Sequence, residues 1–318
     1  MAISRNIKPD RGLTFRMLMT GFFLVVLYAA LIGVLFALLK SLVLVLVIAF
    51  GLLFVQYWFS AKIAMYAMHA KEVTPQQAPE LHGVVDRLCA LADMPKPKVA
   101  IAQTDVPNAF ATGRSPKAAV VCVTTGLLRR LDEPEVEAVL SHEISHVAHR
   151  DVAVMTIASG LGIIAGLLTR VMFYSELFGG GRGGNNQQSQ TALIEMIVLL
   201  VSVIVYFVSF LLTMALSRYR ELAADRSGAL LIGRPALLAS ALVKITGDIG
   251  RIPTKDLRAA EPFNAFFFAP AVSQEATQGG GGGGGGGFSF GQLFRTHPTL
   301  ERRLAQLESL EHQLGQAS

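Results

Sequence analysis

This chain is short of charge. Asp, Glu, Lys and Arg make up 16% of its 318 residues, and 52% are hydrophobic, against roughly 25% charged in an average soluble domain. A water-soluble enzyme could hide such an excess in one large core, but here the apolar residues come in runs. Four stretches, 17–39, 41–60, 152–169 and 196–216, contain no Asp, Glu, Lys, Arg or His. Each has the length of about 20 apolar residues, range 17 to 25, that a helix needs to cross a bilayer. The chain therefore reads as an integral membrane protein with four transmembrane helices. The first stretch is too long for the core of a secretory signal and runs almost directly into the second, so it reads as an uncleaved anchor.

Other absences narrow the function. Cys89 and Cys122 are the only cysteines, and without C-x-x-C spacing they make neither a disulfide framework nor a zinc knuckle, which leaves them an inert place in a core. The nine glycines at 279–287 have no Lys-Ser/Thr after them; they read as a flexible linker and exclude a phosphate loop. No nucleic-acid-binding motif is present, so no nucleic-acid partner is expected. The net charge of +5 includes Arg5, Lys8, Arg11 and Arg16 ahead of the first span, where it suits anionic lipid and orientation. Charge is missing inside all four spans, which weighs against transport.

Basic residues stay on the cytoplasmic side of short loops. The turn between the first two spans offers only Lys40 and the loop 174–191 only Arg182, so both face outward. That places the N-terminus, 61–151 and 217–318 together in the cytoplasm. Four parts follow: 1–60, an arm and a membrane hairpin; 61–151, one half of a catalytic domain; 152–216, a second hairpin; 217–318, the other half. Gly162 and Gly166 form a G-x-x-x-G suited to close helix contact in the third span.

In the water-facing halves, helical spacing runs over Ala78–Leu91, and strand-like runs occupy Val99–Ala102 and Ala118–Val123. Pro107–Gly113 between them is a turn-forming stretch. Asp132 is placed to cap a helix that runs through His149, with Pro134 in its first turn and no Gly or Pro before the third span. Arg218–Leu231 and Pro235–Thr246 read as helices separated at Gly233, and Leu300, Leu304, Leu307, Leu310 and Leu314 mark a last one. Phe263, Phe266, Phe267 and Phe268 stand ready to cover a core or sit at the membrane interface. The expected fold is a mainly α membrane protein with a cytoplasmic α+β, zincin-like catalytic domain carrying a small sheet.

The chemistry is in His142-Glu143-Ile144-Ser145-His146. On a helix, H-E-x-x-H sets two imidazoles one turn apart on one face, so two nitrogens reach one metal ion. Glu143 lies beside that face, where its carboxylate takes a proton from metal-bound water. Roughly 0.007 chance matches are expected in a chain of this composition. A catalytic zinc needs a third protein ligand and an open position. His149 shares the face but lies about 10.5 Å along the axis from His142, too far for one ion. A metzincin would have glycine and histidine where this chain has His149 and Val152, so that class is excluded. Glu221 is the better third ligand, since the second hairpin returns it to the first helix. Asp225, one turn on, can hold a ligand histidine by its free ring N–H. The plainer alternative leaves both acids on an exposed helix, paired with Arg218, Arg220 or Arg226.

These elements, with Asn108-Ala109-Phe110-Ala111 upstream, Asp151 after the H-E-x-x-H helix, and Thr296-His297-Pro298 with Arg303 near the end, occur in one order. In that order the chain resembles the HtpX and CAAX prenyl protease family of membrane zinc peptidases, and the HtpX branch most. The resemblance implies one zinc on His142, His146 and Glu221, Glu143 as base, and Asp225 behind a ligand. It implies His297 and Arg303 as donors entering the site, and Asn108 beside a sheet edge where an extended substrate pairs. It departs from close HtpX relatives in having His149-Arg150 where Asn-Gly is usual, and in the nine glycines. The function expected is a membrane-bound zinc endopeptidase of the bacterial inner membrane, acting on misfolded or damaged membrane proteins at the cytoplasmic face. Its partners are then polypeptide substrates and the lipid bilayer, and nothing in the pattern sets an oligomeric state. Processing of prenylated peptides, or a non-catalytic scaffold or transporter, are the alternatives.

Overall fold

A computed structural model describes residues 10–38, 42–179, 186–249 and 297–317. Two long apolar helices come first, α1 (Arg11–Leu38) and α2 (Leu42–Ala67), then strand β1 (Ala70–Glu72) and helix α3 (Pro79–Leu91). Strands β2 (Lys98–Ala102), β3 (Ala109–Thr112) and β4 (Val120–Thr124) precede the short α4 (Thr125–Leu128) and then α5 (Glu133–Ala148). Helices α6 (Asp151–Gly179), α7 (Asn186–Ile232), α8 (Pro235–Ile249) and α9 (Leu300–Ala317) complete the described chain. The Phe263–Phe268 cluster and the glycine run 279–287 lie outside the described residues.

Among the described residues three stretches are long and apolar enough to cross a membrane: Arg11–Leu31, Asp151–Arg170 and Met196–Ile232. The expected stretch 41–60 falls on α2, a helix of 26 residues, but is not one of these three. Leu24 and Leu31 of α1, Ala165 and Leu168 of α6, and Val198 and Val205 of α7 form a buried cluster. The G-x-x-x-G lies within it: a Cβ on Gly162 would meet Ser209 Oγ at 3.3 Å, and one on Gly166 the Tyr206 ring at 3.4 Å. Small residues there let α6 and α7 approach.

One expectation about helix ends is corrected. The stretch 218–231 is not a separate helix: α7 runs unbroken for 47 residues, about 70 Å at 1.5 Å per residue, because nothing between Leu216 and Arg218 can stop it. The helix begun at Asp132 is found with the expected extent. It ends at His149, and Arg150 turns the chain with φ 55°, the left-handed region that glycine adopts more cheaply. At its start α5 is capped as expected. Asp132 and Glu135 form a reciprocal capping box, which satisfies two backbone donors that the first turn leaves open.

The sheet has the order β1-β2-β4-β3, with β2 and β4 parallel and the outer pairs antiparallel. Residues 109–112, read from sequence as part of a turn, form the edge strand β3, in register with Val123 to Val120 of β4. Ladder pairing and the burial of Ala109 and Phe110 outweigh the turn signals of Pro107 and Gly113, which bound the strand. β1 carried no sequence signal; it is three residues long. One face of the sheet packs Ala100, Ala102, Phe110 and Cys122 against Ala64 of α2. The other face joins a core of α3, α5, α8 and α9 that includes Leu88, Val121, Leu140, Ile144, Leu242 and Leu310. Each such fully buried aliphatic side chain contributes roughly 1.5 to 3 kcal/mol. The loop after β3 is tied back to α2. Tyr57 donates its hydroxyl to Arg114 O at 2.8 Å, and the Arg114 guanidinium lies over the Trp58 ring at 4.1 Å. Gly113 permits this turn with φ 136°, and a Cβ there would strike Ala118 O at 2.5 Å.

Candidate metal centre

Helices α5 and α7 cross where the motif predicts a site. Gly228 sets how closely: a Cβ on it would lie 2.7 Å from His142 N and 2.8 Å from His142 Cα. Glu221, Asp225 and Gly228 follow one another at four and three residues, one stripe of α7, so the glycine that admits α5 aims both acids at it.

The three expected ligands converge. His142 Nε2 and His146 Nε2 are 3.1 Å apart, Glu221 Oε1 is 3.4 Å from His146 Nε2, and Glu221 Oε2 is 3.8 Å from His142 Nε2. Bonds of about 2.0 to 2.2 Å to a tetrahedral zinc ion put ligand atoms about 3.3 to 3.6 Å apart. The donor set, two imidazoles and a carboxylate, is also one that zinc takes at catalytic sites. Both histidines turn their other nitrogen to a carboxylate. His142 Nδ1 faces Asp225 Oδ1 at 2.8 Å and His146 Nδ1 faces Asp151 Oδ2 at 2.5 Å. An Nδ1–H held this way leaves Nε2 as the lone-pair donor to metal. His149 is exposed at the end of α5 and takes no part.

Each of those carboxylates is in turn held by a buried arginine. Arg303 grips Asp225 with two bonds, Nε to Oδ2 at 2.7 Å and an outer nitrogen to Oδ1 at 2.6 Å, while Arg220 reaches Asp151 Oδ2 at 2.6 Å. Asp225 is fully buried and Arg303 is 2% exposed. The alternative that left Glu221 and Asp225 on an exposed helix beside neighbouring arginines is overturned: both carboxylates turn inward, and Arg220 pairs with Asp151 on another helix. His297 enters the site directly, its Nδ1–H donating to Glu221 Oε2 at 3.1 Å. Its Nε2 is buried with no hydrogen-bond partner among the described residues. Arg303, expected beside it, stands behind Asp225 instead.

Glu143 projects beside the ligands and accepts the Ala111 backbone N–H on Oε2 at 2.8 Å. Asn108 is fully buried. Its backbone exchanges bonds with Thr124, receiving that residue's N–H at 2.9 Å and giving its own N–H to Oγ1 at 2.9 Å. With Asn108 paired to β4, the backbone groups of Ala109 and Ala111 face away from the sheet, as the Ala111 bond to Glu143 shows.

Electrostatics fit a site made for a cation. Burial, partly opposed by His146 and reinforced by the Glu221 charge, pushes Glu143 up to about 8. Burial disfavours charge on His146 too, yet the hydrogen bonds it donates to Asp151 and Glu221, with the Glu221 and Glu143 charges, carry it to about 10. A proton on His146 is thus what balances the carboxylates without metal. For His142 burial wins over Asp225 and the value falls, which keeps the ring neutral, as a ligand must be.

Three functional groups were missed in the sequence. Asp151 stood in the motif without a role; Arg220 read only as a local helix charge; Gly228 gave no signal beyond its place three residues after Asp225.

Residues 75–311 match the model of Peptidase family M48. The chain is 56% identical to the Protease HtpX homolog 1 of Streptomyces coelicolor, covering 98% of this chain and 96% of that protein. It is 49% identical to the Protease HtpX homolog of Moorella thermoacetica, covering 98% of each, and 46% identical to the Protease HtpX homolog 2 of Methanosarcina acetivorans, covering 98% and 100%. The crystal structure of S. mikatae Ste24p superposes with a TM-score of 0.55 over 93% of this chain and 67% of its own, at 16% identity, a likeness of fold.

Proposed function

The chain belongs to peptidase family M48 and stands among the HtpX proteases, a multi-pass membrane metalloprotease, and we propose that it uses zinc to cut misfolded or damaged membrane proteins at the cytoplasmic face of a bacterial inner membrane. The observation that carries this reading is the trio of ligand atoms on His142, His146 and Glu221, all within 4.8 Å of one another, with Glu143 beside them.

In this reading His142, His146 and Glu221 would hold the ion. A bound zinc ion supplies Lewis acidity to the scissile carbonyl and makes the attacking water acidic near neutral pH. Glu143 takes that water's proton and later hands one to the leaving amine. The Ala111 N–H keeps its carboxylate turned to the ligands, and a cation nearby brings its raised value back down toward the range of a working base. Asp225 and Asp151 fix the two imidazoles, and Arg303 holds Asp225 in place. His297 steadies Glu221 through Nδ1, and its buried Nε2, when protonated, donates to the oxyanion. An extended substrate lies along the outer side of β3 beside Asn108 and pairs with the backbone of Ala109 and the Ala111 carbonyl.

Location supports the membrane-protein substrate. The sheet that carries β3 rests on the end of α2 through Ala64, and Trp58 with Tyr57 marks an aromatic boundary of the kind found at bilayer surfaces. We assign α2 as the fourth span on its length and apolarity, and the basic N-terminal arm supports a cytoplasmic position for both catalytic halves. The test is cleavage in proteoliposomes of three substrates: a single-span membrane protein with an unfolded cytoplasmic segment, the same segment as a soluble peptide, and a prenylated C-terminal peptide. The wild type is expected to cut the membrane protein fastest, between residues next to its span. Equal cutting of the soluble peptide, or preference for the prenylated one, overturns the substrate assignment.

A further inference from the structure

A second site lies on the far side of α7 and α9 from the metal centre. A cavity of about 240 Å³ opens where the first turns of α1 meet these two helices, lined among others by Asp10, Leu13, Arg16, Leu222, Arg302 and Gln306. Its charge is one-sided. Arg16 and Arg302 face it, and Arg218 sits near enough to Arg302 for the two positive charges to oppose each other. The carboxylate in the lining, Asp10, is engaged in capping α1, where it accepts the Leu13 N–H at 2.9 Å. Two guanidiniums against one carboxylate leave the described lining net positive, and guanidiniums gathered around a cavity call for an anion.

The place of the cavity says which anion. The membrane-crossing stretch of α1 begins at Arg11, and outward-facing apolar side chains begin at once, Phe15 being 63% and Leu18 68% exposed. The cavity therefore lies at the depth where headgroups give way to acyl chains. Leu13 and Leu222 supply an apolar part of its wall. We propose that it binds the phosphate of an anionic phospholipid, with Arg16 and Arg302 taking the phosphate oxygens.

Occupancy has a structural consequence for the metal centre. Arg302 is the neighbour of Arg303, which grips Asp225 behind His142, and Gln306 donates to Leu222 O at 3.0 Å, one residue beyond Glu221. A lipid held between Arg16 and Arg302 pins α9 to α1 and α7, and so steadies the side of the site that is brought in by the fold.

Native mass spectrometry of the detergent-solubilised full chain, titrated with phosphatidylglycerol, phosphatidylcholine or inorganic phosphate, tests this directly. The wild type is expected to retain one phosphatidylglycerol ahead of all others. The double variant Arg16→Gln with Arg302→Gln should weaken that first binding about thirtyfold, each arginine near an anionic surface being worth roughly a factor of five. Arg16→Lys with Arg302→Lys keeps the charge and should retain most of it. Arg87→Gln with Lys96→Gln removes the same charge from α3 and the loop that follows it, far from the cavity, and should change binding less than about twofold; unchanged helical content by circular dichroism shows that each variant is folded. The proposal is overturned if the α3 variant loses as much as the cavity variant, if phosphatidylcholine is retained equally, or if millimolar phosphate displaces the lipid, which would make the cavity a site for a soluble anion.

Discussion

The two sides of the metal centre are built differently. The α5 side delivers His142, Glu143 and His146 within five residues of one helix, so their convergence follows from helical periodicity alone. The α7 side delivers Glu221 from beyond a membrane hairpin, and Asp225, Arg303 and His297 join it only because α7, α9 and α5 pack as they do. Yet behind the two α5 histidines one plan is repeated by residues from the other helices: His142 rests on Asp225 and Arg303, His146 on Asp151 and Arg220. A local motif thus positions atoms to about one turn, and a packed helix pair must supply the rest.

The largest effects are expected where that shared plan is broken. Asp225→Asn and Asp151→Asn should each lower zinc affinity about 10- to 100-fold in a chelator competition. Asp225→Asn should cost more stability as well, since it leaves Arg303, 2% exposed, as a buried charge facing a neutral amide. Equal thermal shifts for the two variants would show that the sides are energetically alike and the comparison mistaken. Next comes the contact that joins the sides. Gly228→Ala places a methyl group 2.7 Å from backbone, so α7 must move away from α5, at about 1 to 3 kcal/mol. Chemical denaturation should show that loss, and zinc affinity should fall with it. The smallest effect concerns α5 alone. Arg150→Gly relieves a left-handed residue, φ 55°, and should raise stability by about 1 kcal/mol with zinc affinity unchanged. A loss of stability there would mean that the Arg150 side chain holds the turn before Asp151.

The same contrast explains what the sequence makes legible. The H-E-x-x-H trio, the cap at Asp132 and the apolar helices rest on local patterns, and the structure shows them. Glu221 was reachable because the hairpin between 152 and 216 forces a return. The edge strand at 109–112 was hidden by the turn residues that flank it, and its role depends on an Ala111 N–H that no side-chain pattern can reveal. The end of α5 at His149 was legible, but the left-handed turn at Arg150 was not, because no glycine or proline marks it. Arg220 and Asp151 lie on different helices, α7 and α6, and their pairing exists only after those helices pack. Gly228 carries its function in the absence of a side chain.

The claim that one metal centre spans both sides, with base and ligand separable, is tested most directly by measuring zinc content and cleavage together for wild type, Glu143→Gln and Glu221→Gln. The base variant should keep one zinc per chain and lose cleavage by about 10² to 10⁴-fold, whereas the ligand variant should lose both zinc and cleavage. Glu221→Gln retaining zinc as tightly as the wild type, or Glu143→Gln cleaving at the wild-type rate, would contradict it.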